Sequence, residues 1–530
     1  MYSYTEEQIA SIKKVESTRA DRLAKTFPPM TADEKRRVLE KYRPDGGDNA
    51  FGILKVGKNA GERVPMELCA LLQGTPYITG RDVNLSNPDD DVDVLVIGFG
   101  GAGAAAAITA KNLGANVTIV TKLRAGDSNT VMAEGGIQCA DGSDDSPVRY
   151  YLDTFGGGGY AARPELLKKL ATGGAKAVKW LTELGVTFDA DFDGNPIRTS
   201  GGGASRRRMR ACKDMTGREI MRTLRDEVIN VGVKIREFSS AVEIVKDEYG
   251  SAAGAVLVNT VTGEISVIRA KTVIVATGGA GRLHYNGFPT TNHYGATADG
   301  LVIAYRAGVK LVDADSLQYH PTGAALPNSL SGSLVTEKVR SLGAELLNRN
   351  GDEFVNSLET RDAVSACILR ECACGNGIKT DDGYAVWLDT PMIDILHGDG
   401  TIEKSLPSTF KTYTKCGIDI RKEPIAVYPT LHYQNGGIEI DVNCETAVKN
   451  LFAAGEVTGG IHGRNRLMGN SLAEIIVFGK TAGKVAAERA KNARVGKLTL
   501  AHVRGYETEI ERSGVKSDKI SPEILPDYTR

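Results

Sequence analysis

The pattern of hydrophobic and polar residues changes near residue 90. Before it, the stretch ADRLAKTFPPMTADEKRRVLEKYRPDGGDN is charged and is interrupted by Pro and Gly. It predicts short helices in an N-terminal extension, 1–90, that wraps the main body or contacts a partner. After it, DVDVLVIGFGGAG begins with an apolar run rich in β-branched residues, which is typical of a buried parallel strand. The main folded body is therefore expected to start at about Asp91.

Strand-like and helix-like segments alternate from Asp91 to about Asp313, which predicts an α/β fold. At 530 residues the chain is longer than one hydrophobic core usually supports, so we expect more than one lobe. No internal repeat of the kind that marks solenoids or propellers occurs in the sequence. The last residues, 494–530, predict only a short polar helical tail.

Composition and charge exclude several classes of function. A net charge of -1 provides no electrostatic attraction to nucleic acid or to an anionic membrane. The first residues, MYSYTEEQIASIKK, lack the basic tip and apolar run of a secretory signal, and no window holds the roughly 18 apolar residues of a membrane span. We expect a cytoplasmic protein that reaches a membrane only through a partner.

The eight cysteines have irregular spacings, which fits a reducing compartment better than a disulfide framework. Three of them, Cys367, Cys372 and Cys374, lie close together in ACILRECACG. No fourth cysteine follows at the spacing of metal ligands, and the segment predicts a helix. We expect buried or inert thiols and no metal centre.

A glycine-rich turn follows the first strand of the main body. In VDVLVIGFGGAGAAAAITAKNLGANVTIVTK, Gly98, Gly100 and Gly103 have the GxGxxG spacing between a strand and an alanine-rich helix. Such glycines permit a tight turn, a close approach of the backbone to a pyrophosphate, and close packing of helix on strand. The second strand ends in Thr121 and Lys122, where an acidic residue usually binds the ribose of NAD. A simple NAD site is therefore disfavoured.

Two later segments, AKTVIVATGGAGRLHYN and NLFAAGEVTGGIHGRNRLMGNSLAEIIVFGKTAG, also lead from a strand into a turn. The residues at these strand ends and at the following helix start are Thr277, Gly278, Gly279, Gly455, Glu456, Asn470 and Ser471. Glu456 offers an acid for a ribose, and a helix N-terminus attracts a carbonyl or phosphate. Three such turns favour one long cofactor, FAD, over a nicotinamide.

Several ordered stretches between about Val92 and Ala490 carry a resemblance to a known family. They are GFGGAG, AEGGIQ, TGREIMRTL, ATGGAGR, QYHPTG, VTEKVR, TRDAVS, PTLHYQNGG, LFAAGEV and HGRNRLMGNSLAE. As an ordered set they resemble the flavoprotein subunits of fumarate reductases and succinate dehydrogenases, to which L-aspartate oxidase is also similar. The resemblance implies a Rossmann-like FAD-binding domain, 91–313 and 431–493, interrupted by an α+β capping domain, 314–430, with the substrate between them.

The resemblance also implies which residues bind FAD. They are Gly98, Gly100, Gly101, Ala102, Gly103, Thr121, Lys122, Ser128, Asn129, Thr130, Glu134, Gly135, Gly136, Ala241, Thr277, Gly278, Gly279, Asp299, Gly455, Glu456, Arg466, Asn470, Ser471 and Leu472. In many relatives a histidine, aligned with Asn129, bonds covalently to the flavin. Because an amide does not form that bond, we expect non-covalent FAD. Loss of this electron-withdrawing attachment should lower the flavin potential, which favours fumarate reduction over succinate oxidation.

Reduction of a carbon-carbon double bond between two carboxylates needs a hydride donor, a proton donor, a grip on each carboxylate and exclusion of water. By resemblance, Arg361 is the proton donor. Glu337 and Arg340, three residues apart and so on one helical face, form its proton relay. The implied substrate-binding residues are His320, Thr336 and Glu337 at one end and His432 and Arg466 at the other. Taken alone, such a Glu and Arg are more often a solvated ion pair.

A grip at both ends favours a dicarboxylate, fumarate or succinate, over a substrate with one carboxylate. The resemblance also implies a partner, which is an iron-sulfur or other electron-transfer subunit. The stretch VRSLGAEL departs from the Arg-Gly-Glu-Gly run of many relatives, which leaves open a reductase of a substituted enoate. An L-aspartate oxidase and a flavin electron-transfer scaffold with an idle site also stay open. The residue types present at Arg361, His320, His432 and Arg466 argue against an idle site.

Overall fold

The computed structural model describes residues 2–47 and 49–526 of the chain. Met1, Asp48 and 527–530 lie outside the described residues, as do the parts of the predicted extension and tail that fall on them. The elements of the extension are α1 (Glu6–Leu23), α2 (Ala32–Tyr42), β1 (Phe51–Ile53), β2 (Arg63–Pro65), α3 (Met66–Leu72) and β3 (Thr75–Pro76).

The main body, 91–313 and 431–493, alternates strands and helices, as its sequence pattern predicts. The elements of its first part are β4 (Asp90–Ile97), α4 (Gly101–Asn112), β5 (Val117–Val120), β6 (Ile137–Gln138), α5 (Pro147–Gly157), α6 (Pro164–Glu183), β7 (Met209–Arg210), α7 (Thr216–Asn230), β8 (Lys234–Arg236), β9 (Ser239–Asp247), β10 (Ala252–Asn259), β11 (Ile265–Val275), α8 (Asp299–Arg306) and β12 (Leu311–Val312).

We call residues 314–430 the cap. Its elements are β13 (Leu317–Ala324), α9 (Glu337–Ser341), β14 (Leu346–Leu347), α10 (Arg361–Ala373), β15 (Ile378–Thr380), β16 (Gly383–Leu388), α11 (Met392–His397), α12 (Thr401–Ser405), α13 (Pro407–Cys416) and β17 (Ile425–Gln434). The chain ends with β18 (Gly437–Ile438), β19 (Leu451–Ala453), α14 (Asn470–Ala490), β20 (Leu498–Thr499), α15 (Ala501–Ser513) and β21 (Ile520–Ser521).

Eight strands of the described residues form one large sheet, in the order β20-β9-β10-β11-β4-β5-β8 with β19 beside β11. The pairs joining β19, β11, β4, β5 and β8 are parallel, and β9, β10 and β20 add antiparallel pairs. The last residues of β4 and β11, and all residues of β5 and β19, are buried, which fits their almost continuous apolar runs. The predicted α/β class is confirmed.

The helices that follow β4 and β19 pack unusually close together. A Cβ atom at Gly479 of α14 would lie 2.6 Å from the carbonyl oxygen of Ala102, and one at Gly483 would lie 2.2 Å from that of Ala106. Glycine at these two positions therefore permits the backbones of α4 and α14 to touch. The first turn of α4, which contains Ala102, therefore lies beside the third turn of α14, which contains Gly479.

The cap has its own antiparallel sheet, β13-β17-β16-β14 with β15 beside β16. Its hydrophobic core is separate from that of the main body. The expected boundary between 430 and 431 falls inside β17, which runs from Ile425 to Gln434. One continuous strand therefore carries His432 from the cap sheet to the main body.

The tail differs from its prediction. It contains α15 as expected, but β20 also joins the large sheet and β21 pairs with β3 of the extension. Pairings of two residues leave no periodic pattern in a sequence, so they were not predicted. Among the described residues, no helix combines the length and apolar character that crossing a membrane requires.

Candidate active site

An elongated cavity opens at the carboxyl ends of the parallel strands and extends to the cap. Open α/β sheets bind their ligands at this edge. The cavity contains about 1540 Å³ of empty space, including the part open to solvent. The predicted cofactor residues that line it are Gly98, Gly100, Gly101, Ala102, Thr121, Lys122, Ser128, Asn129, Thr130, Glu134, Gly135, Gly136, Ala241, Thr277, Gly278, Asp299, Gly455, Glu456, Arg466, Ser471 and Leu472.

Three predicted cofactor residues lie behind this lining. A Cβ atom at Gly103 would lie 2.0 Å from the carbonyl oxygen of Gly98, so this glycine serves helix packing. A Cβ atom at Gly279 would lie 2.6 Å from Glu456 Oε1. The Asn470 side chain forms hydrogen bonds of 2.8 and 3.2 Å to two buried side chains of α5. These three residues shape the cavity wall without facing the cavity.

The residues of the first turn fit FAD. Gly98 has a φ of +108°, and a Cβ atom there would lie 2.3 Å from the carbonyl oxygen of Ala276, so a larger residue would clash. The N-cap of α4, Gly100, has no side chain to bond the first helical N–H groups, which suits an anion such as a pyrophosphate. In the described residues, Glu134 Oε2 and Thr277 Oγ1 are buried without a hydrogen-bond partner. Such atoms are expected where a polar ligand binds.

Lys122 has an acidic partner from a distant part of the chain. Its Nζ atom lies 2.7 Å from Asp299 Oδ2 and 2.7 Å from Thr297 Oγ1. The second strand lacks the acidic residue of an NAD site, but the fold brings Asp299, at the start of α8, to the same end of the cavity. The local sequence pattern does not show this pairing.

Asn129 is tied to the cavity wall by three hydrogen bonds. Its Nδ2 donates to Asn292 Oδ1 (2.7 Å) and Glu456 Oε2 (3.1 Å), and its Oδ1 accepts from the backbone N–H of His293 (2.6 Å). Burial raises the pKa of Glu456, although the hydrogen bonds from the Gln434 backbone and Asn129 oppose the rise. The Asn129 amide therefore stabilises the ionised form of the buried Glu456 side chain.

The predicted substrate residues come together at the cap end of the cavity. They are His320 on β13, Thr336 and Glu337 at the start of α9, Arg361 as the first residue of α10, His432 on β17 and Arg466 before α14. All six line the cavity, whereas Arg340 is buried behind Glu337 and does not. Residues from both the cap and the main body complete the site.

Glu337 joins the predicted proton donor to the predicted relay. Its Oε2 lies 2.9 Å from Arg361 Nε and 3.4 Å from Arg340 Nη2. Its Oε1 accepts a hydrogen bond of 2.8 Å from the backbone N–H of Gly202 in the main body. Arg361 Nη1 donates to Gln318 Oε1 at 3.0 Å. The Arg361 guanidinium is therefore held on two sides where it lines the cavity.

The negative charge of Glu337 lies in contact with the positive charges of Arg361 and Arg340. Burial alone would raise the pKa of Glu337, but Arg361 and Arg340 outweigh it and lower the pKa to about 2. Burial, aided by Arg361, lowers the pKa of Arg340 and of Arg466 to about 10. Burial, together with the positive charge of Arg361, thus favours release of a proton from Arg340 and from Arg466.

The two histidines of the site are neutral hydrogen-bond donors. Burial first, and then Arg361, hold the pKa of His320 and of His432 well below the usual value. His320 Nδ1 accepts a hydrogen bond from the backbone N–H of Thr322 (3.3 Å), so its proton is on Nε2. His432 Nδ1 lies 2.7 Å from the Thr291 hydroxyl, which can donate or accept, so this contact orients the ring without assigning its tautomer. The Nε2–H of His320 is then available to a carboxylate.

Arg466 is positioned by an aromatic ring and a buried acid. Its guanidinium carbon lies 4.4 Å from the centroid of the Tyr433 ring, and its Nη1 donates to Ser471 Oγ at 3.3 Å. The Tyr433 hydroxyl donates in turn to Glu474 Oε2 at 2.5 Å. Arg466 Nε is buried without a hydrogen-bond partner in the described residues, which suits a group that grips a ligand carboxylate.

Sequence reasoning missed Gln318, Gly202, Thr291 and Tyr433. Gln318 lies two positions before His320 on one strand, so alternation of side chains was an available signal. Tyr433 directly follows His432 in the stretch PTLHYQNGG. Gly202 and Thr291 carried no local signal, because their roles depend on contacts between distant segments.

The cysteine group lies on the helix that begins with Arg361. Cys367 is buried, Cys372 is partly buried and Cys374 is exposed. Cys367 is therefore a buried thiol as expected, whereas for Cys374, exposed after the last turn of α10, the expectation of an inert thiol stays a prediction. In the part of the chain that the structure describes, no group of three or more His, Cys, Asp or Glu side chains has a metal-binding arrangement.

Comparisons with known proteins agree with this geometry. The family profile described as FAD binding domain matches residues 93–472. One subunit of the fumarate reductase (CoM/CoB) of Methanothermobacter marburgensis is 38% identical over 453 residues, which cover 82% of this chain and 79% of that protein. The L-aspartate oxidase of Clostridium acetobutylicum is 35% identical over 395 residues, covering 74% of this chain and 87% of that protein.

A solved quinol-fumarate reductase with menaquinol molecules superposes with a TM-score of 0.72 at 34% identity, covering 80% of this chain and 75% of that one. The matched range includes both the glycine turns and the substrate end of the cavity. The chain therefore belongs to the family of FAD-binding oxidoreductases that includes the flavoprotein subunits of fumarate reductases and the L-aspartate oxidases.

Proposed function

We propose that this protein reduces fumarate to succinate. The observation that carries the proposal is the position of Arg361, held by Glu337 (2.9 Å) and Gln318 (3.0 Å) at the cavity. Hydrogen-bond donors from two parts of the chain line the same cavity, with His320 from the cap sheet and Arg466 from the main body. A small molecule with a carboxylate at each end is complementary to this arrangement.

Each residue of the site has a separate role in the proposed reduction of fumarate. FAD, when bound, supplies the hydride from N5 of its reduced form. His320 and Thr336 hold one carboxylate, and His432 with Arg466 hold the other and polarise the double bond. Arg361 donates the proton to carbon, and Glu337 returns a proton to it from Arg340. The fixed contacts of Arg361 lower the cost of orienting a donor that is a weak acid in water.

We infer further that FAD is bound without a covalent link and that electrons arrive from a partner. Asn129 stands where the resemblance implies the covalent histidine, and its amide is engaged with Glu456 and Asn292. The relative from Methanothermobacter marburgensis is named as one subunit of its enzyme, which supports a partner of the iron-sulfur or other electron-transfer type. Any membrane association would then come through that partner.

The deciding experiment is an anaerobic assay in which reduced viologen dye is mixed with the FAD-loaded protein and fumarate. Rapid oxidation of the dye is expected. No oxidation by fumarate, together with hydrogen peroxide formation from L-aspartate and oxygen, would replace the proposal with L-aspartate oxidase. Dye oxidation only with a substituted enoate would assign that substrate class instead.

A further inference from the structure

The N-terminal extension packs on the cap through a hydrophobic and an ionic contact. Ile12 and Val15 of α1 share a buried core cluster with Trp387 of β16. Asp389, fully buried in the cap, pairs with Arg19 (2.8 Å) and Arg22 (2.6 Å) of the same helix. The extension lies outside the range of the family profile, so this packing is not part of the shared FAD-binding domain.

The next part of the extension lies against the loop that precedes α10. Glu359 Oε1 accepts a hydrogen bond from the backbone N–H of Met30 (2.9 Å), and Lys35 Nζ lies 2.8 Å from Glu359 Oε2. The Asn356 side chain donates to the carbonyl oxygen of Phe27 at 2.9 Å. The extension therefore binds both ends of the loop 356–359.

This loop leads directly to the predicted proton donor. Arg361 is the first residue of α10, two positions after Glu359, and the N-cap Thr360 makes no side-chain capping bond. Val38 of α2 joins the cap core that also contains Val364 of α10. The position of the helix N-terminus thus depends on contacts made by the extension.

Glu359 is suited to hold this position. Its side chain is 9% exposed, and that of Lys35 is 29% exposed. Burial would raise the pKa of Glu359, but the hydrogen bonds from Lys35 and Met30 outweigh it and lower the pKa. Without the Lys35 cation, this carboxylate keeps only hydrogen bonds from the backbone N–H groups of Met30 and Thr360, so the loop is expected to rearrange.

The extension then continues onto the main body. The carbonyl oxygen of Pro44 accepts a hydrogen bond from Asn286 Nδ2 (3.1 Å), and that of Val56 accepts one from the Tyr305 hydroxyl (2.7 Å). The extension is therefore attached both to the cap and to the main body.

We propose that the extension is a working part of the active site, in which the ion pair of Lys35 and Glu359 positions Arg361 for catalysis. Lys35 and Glu359 are positioning residues, since they touch neither the substrate nor the cofactor. The inference rests on the proposed role of Arg361 as the proton donor. This role differs from docking to a partner, because an extension that only contacted a partner would have no effect on the position of Arg361.

The test compares three variants of the full-length, FAD-loaded protein. Lys35→Met removes the charge and keeps the apolar stem, and Lys35→Arg restores a cation. Arg36→Met is the matched control, because Arg36 is the next residue of α2 and pairs only at the surface with Asp33, each 67% exposed. The measurements are kcat and KM for fumarate with reduced viologen, the solvent deuterium isotope effect on kcat, and FAD content.

We expect Lys35→Met to lower kcat by about tenfold and to leave KM within about twofold, because a misplaced proton donor slows proton transfer. The isotope effect on kcat should increase, which a general loosening of the fold would not cause. Lys35→Arg should regain most of the activity, and Arg36→Met should match the wild type. FAD content should be equal in all variants.

An unchanged kcat in Lys35→Met, or an equal loss in Arg36→Met, would overturn the inference. If Lys35→Met fails to retain FAD, Glu359→Gln is measured instead, since it keeps an acceptor for the Met30 N–H but removes the charge. If the wild type itself does not reduce fumarate, the proposed function fails, and the variants are compared on the substrate that the wild type does use.

Discussion

The Nε atom of Arg361 lies 2.9 Å from Glu337 Oε2, and both side chains are almost fully buried at the cap end of the cavity. The carboxylate also contacts Arg340 and accepts a hydrogen bond from the main body through Gly202. Glu337 therefore contacts the predicted proton donor Arg361, the predicted relay residue Arg340 and the backbone of the main body at Gly202.

Replacing Arg361 with lysine should nearly abolish turnover while leaving FAD bound. The ammonium group lacks the planar fork that contacts Glu337 and Gln318 together, so the proton is no longer directed at the substrate. A loss of roughly 100-fold or more in kcat is expected. Turnover is measured with reduced viologen and fumarate, and FAD by its visible absorbance. An Arg361→Lys protein with normal turnover would refute the assignment.

Replacing Glu337 with glutamine should separate proton delivery from substrate binding. The amide still accepts from Gly202, but it removes the charge that balances Arg361 and Arg340. We expect kcat to fall roughly 100-fold, since the relay loses its carboxylate. Addition of a small external acid that enters the site should recover part of the activity. A variant with full kcat and a raised KM would instead assign Glu337 to binding alone.

The KM for fumarate should show no histidine titration. Burial and the neighbouring arginines hold the pKa of His320 and His432 well below the usual value, so both rings stay neutral between about pH 8 and pH 6. If either ring gained a proton near its ordinary pKa, KM would fall as the pH decreases through that value. A level KM over this range, measured at constant ionic strength, supports two neutral donors. A KM that falls on acidification contradicts them.

The FAD should leave the protein when it is denatured in acid. Asn129 forms no covalent bond to a flavin ring, and its amide already bonds to Asn292 and Glu456. All yellow colour is therefore expected in the supernatant, with none in the precipitate. In the folded protein, Asn129→Asp should weaken FAD binding, because it adds a second carboxylate next to the buried Glu456. Colour that remains with the precipitate would show a covalent link.

Asp214 should hold the cap closed. Its carboxylate, buried in the main body, accepts hydrogen bonds from the backbone of Ser408 (3.2 Å) and Thr409 (2.9 Å) at the start of α13 in the cap. The helix has no side-chain cap of its own. Asp214→Ala should cost about 1–3 kcal/mol at this contact. Faster hydrogen exchange over 407–416 is expected, and the exposed Asp193→Ala serves as the control. Unchanged exchange would show that other contacts hold the cap.

Much of the site could be predicted from short stretches of sequence. The turn at Gly98 and the helix start at Gly101 were visible, because glycine spacing between a strand and a helix has a direct conformational cause. The residues of the cap end were predicted from motifs that resemble a family. The comparisons confirm that family, whereas the role of each residue stays a prediction.

Other features of the site depended on residues that are far apart in the chain. Gly202 and Glu337 are separated by 135 positions, and Lys122 and Thr297 by 175. Nothing in the local pattern around either residue specifies the partner. The exposure of Cys374 was also not predictable, since it depends on which side of α10 faces the cap core.

The sequence by itself determined the order of strands and helices, the glycine turns and the family, because these follow from backbone preferences and from patterns only a few residues long. Only the tertiary structure decided that Glu337 joins the cap to the main body, that Asp299 meets Lys122, and that the extension supports the loop before Arg361. The physical reason is that each of these contacts forms only after separate segments have packed together and lost their water.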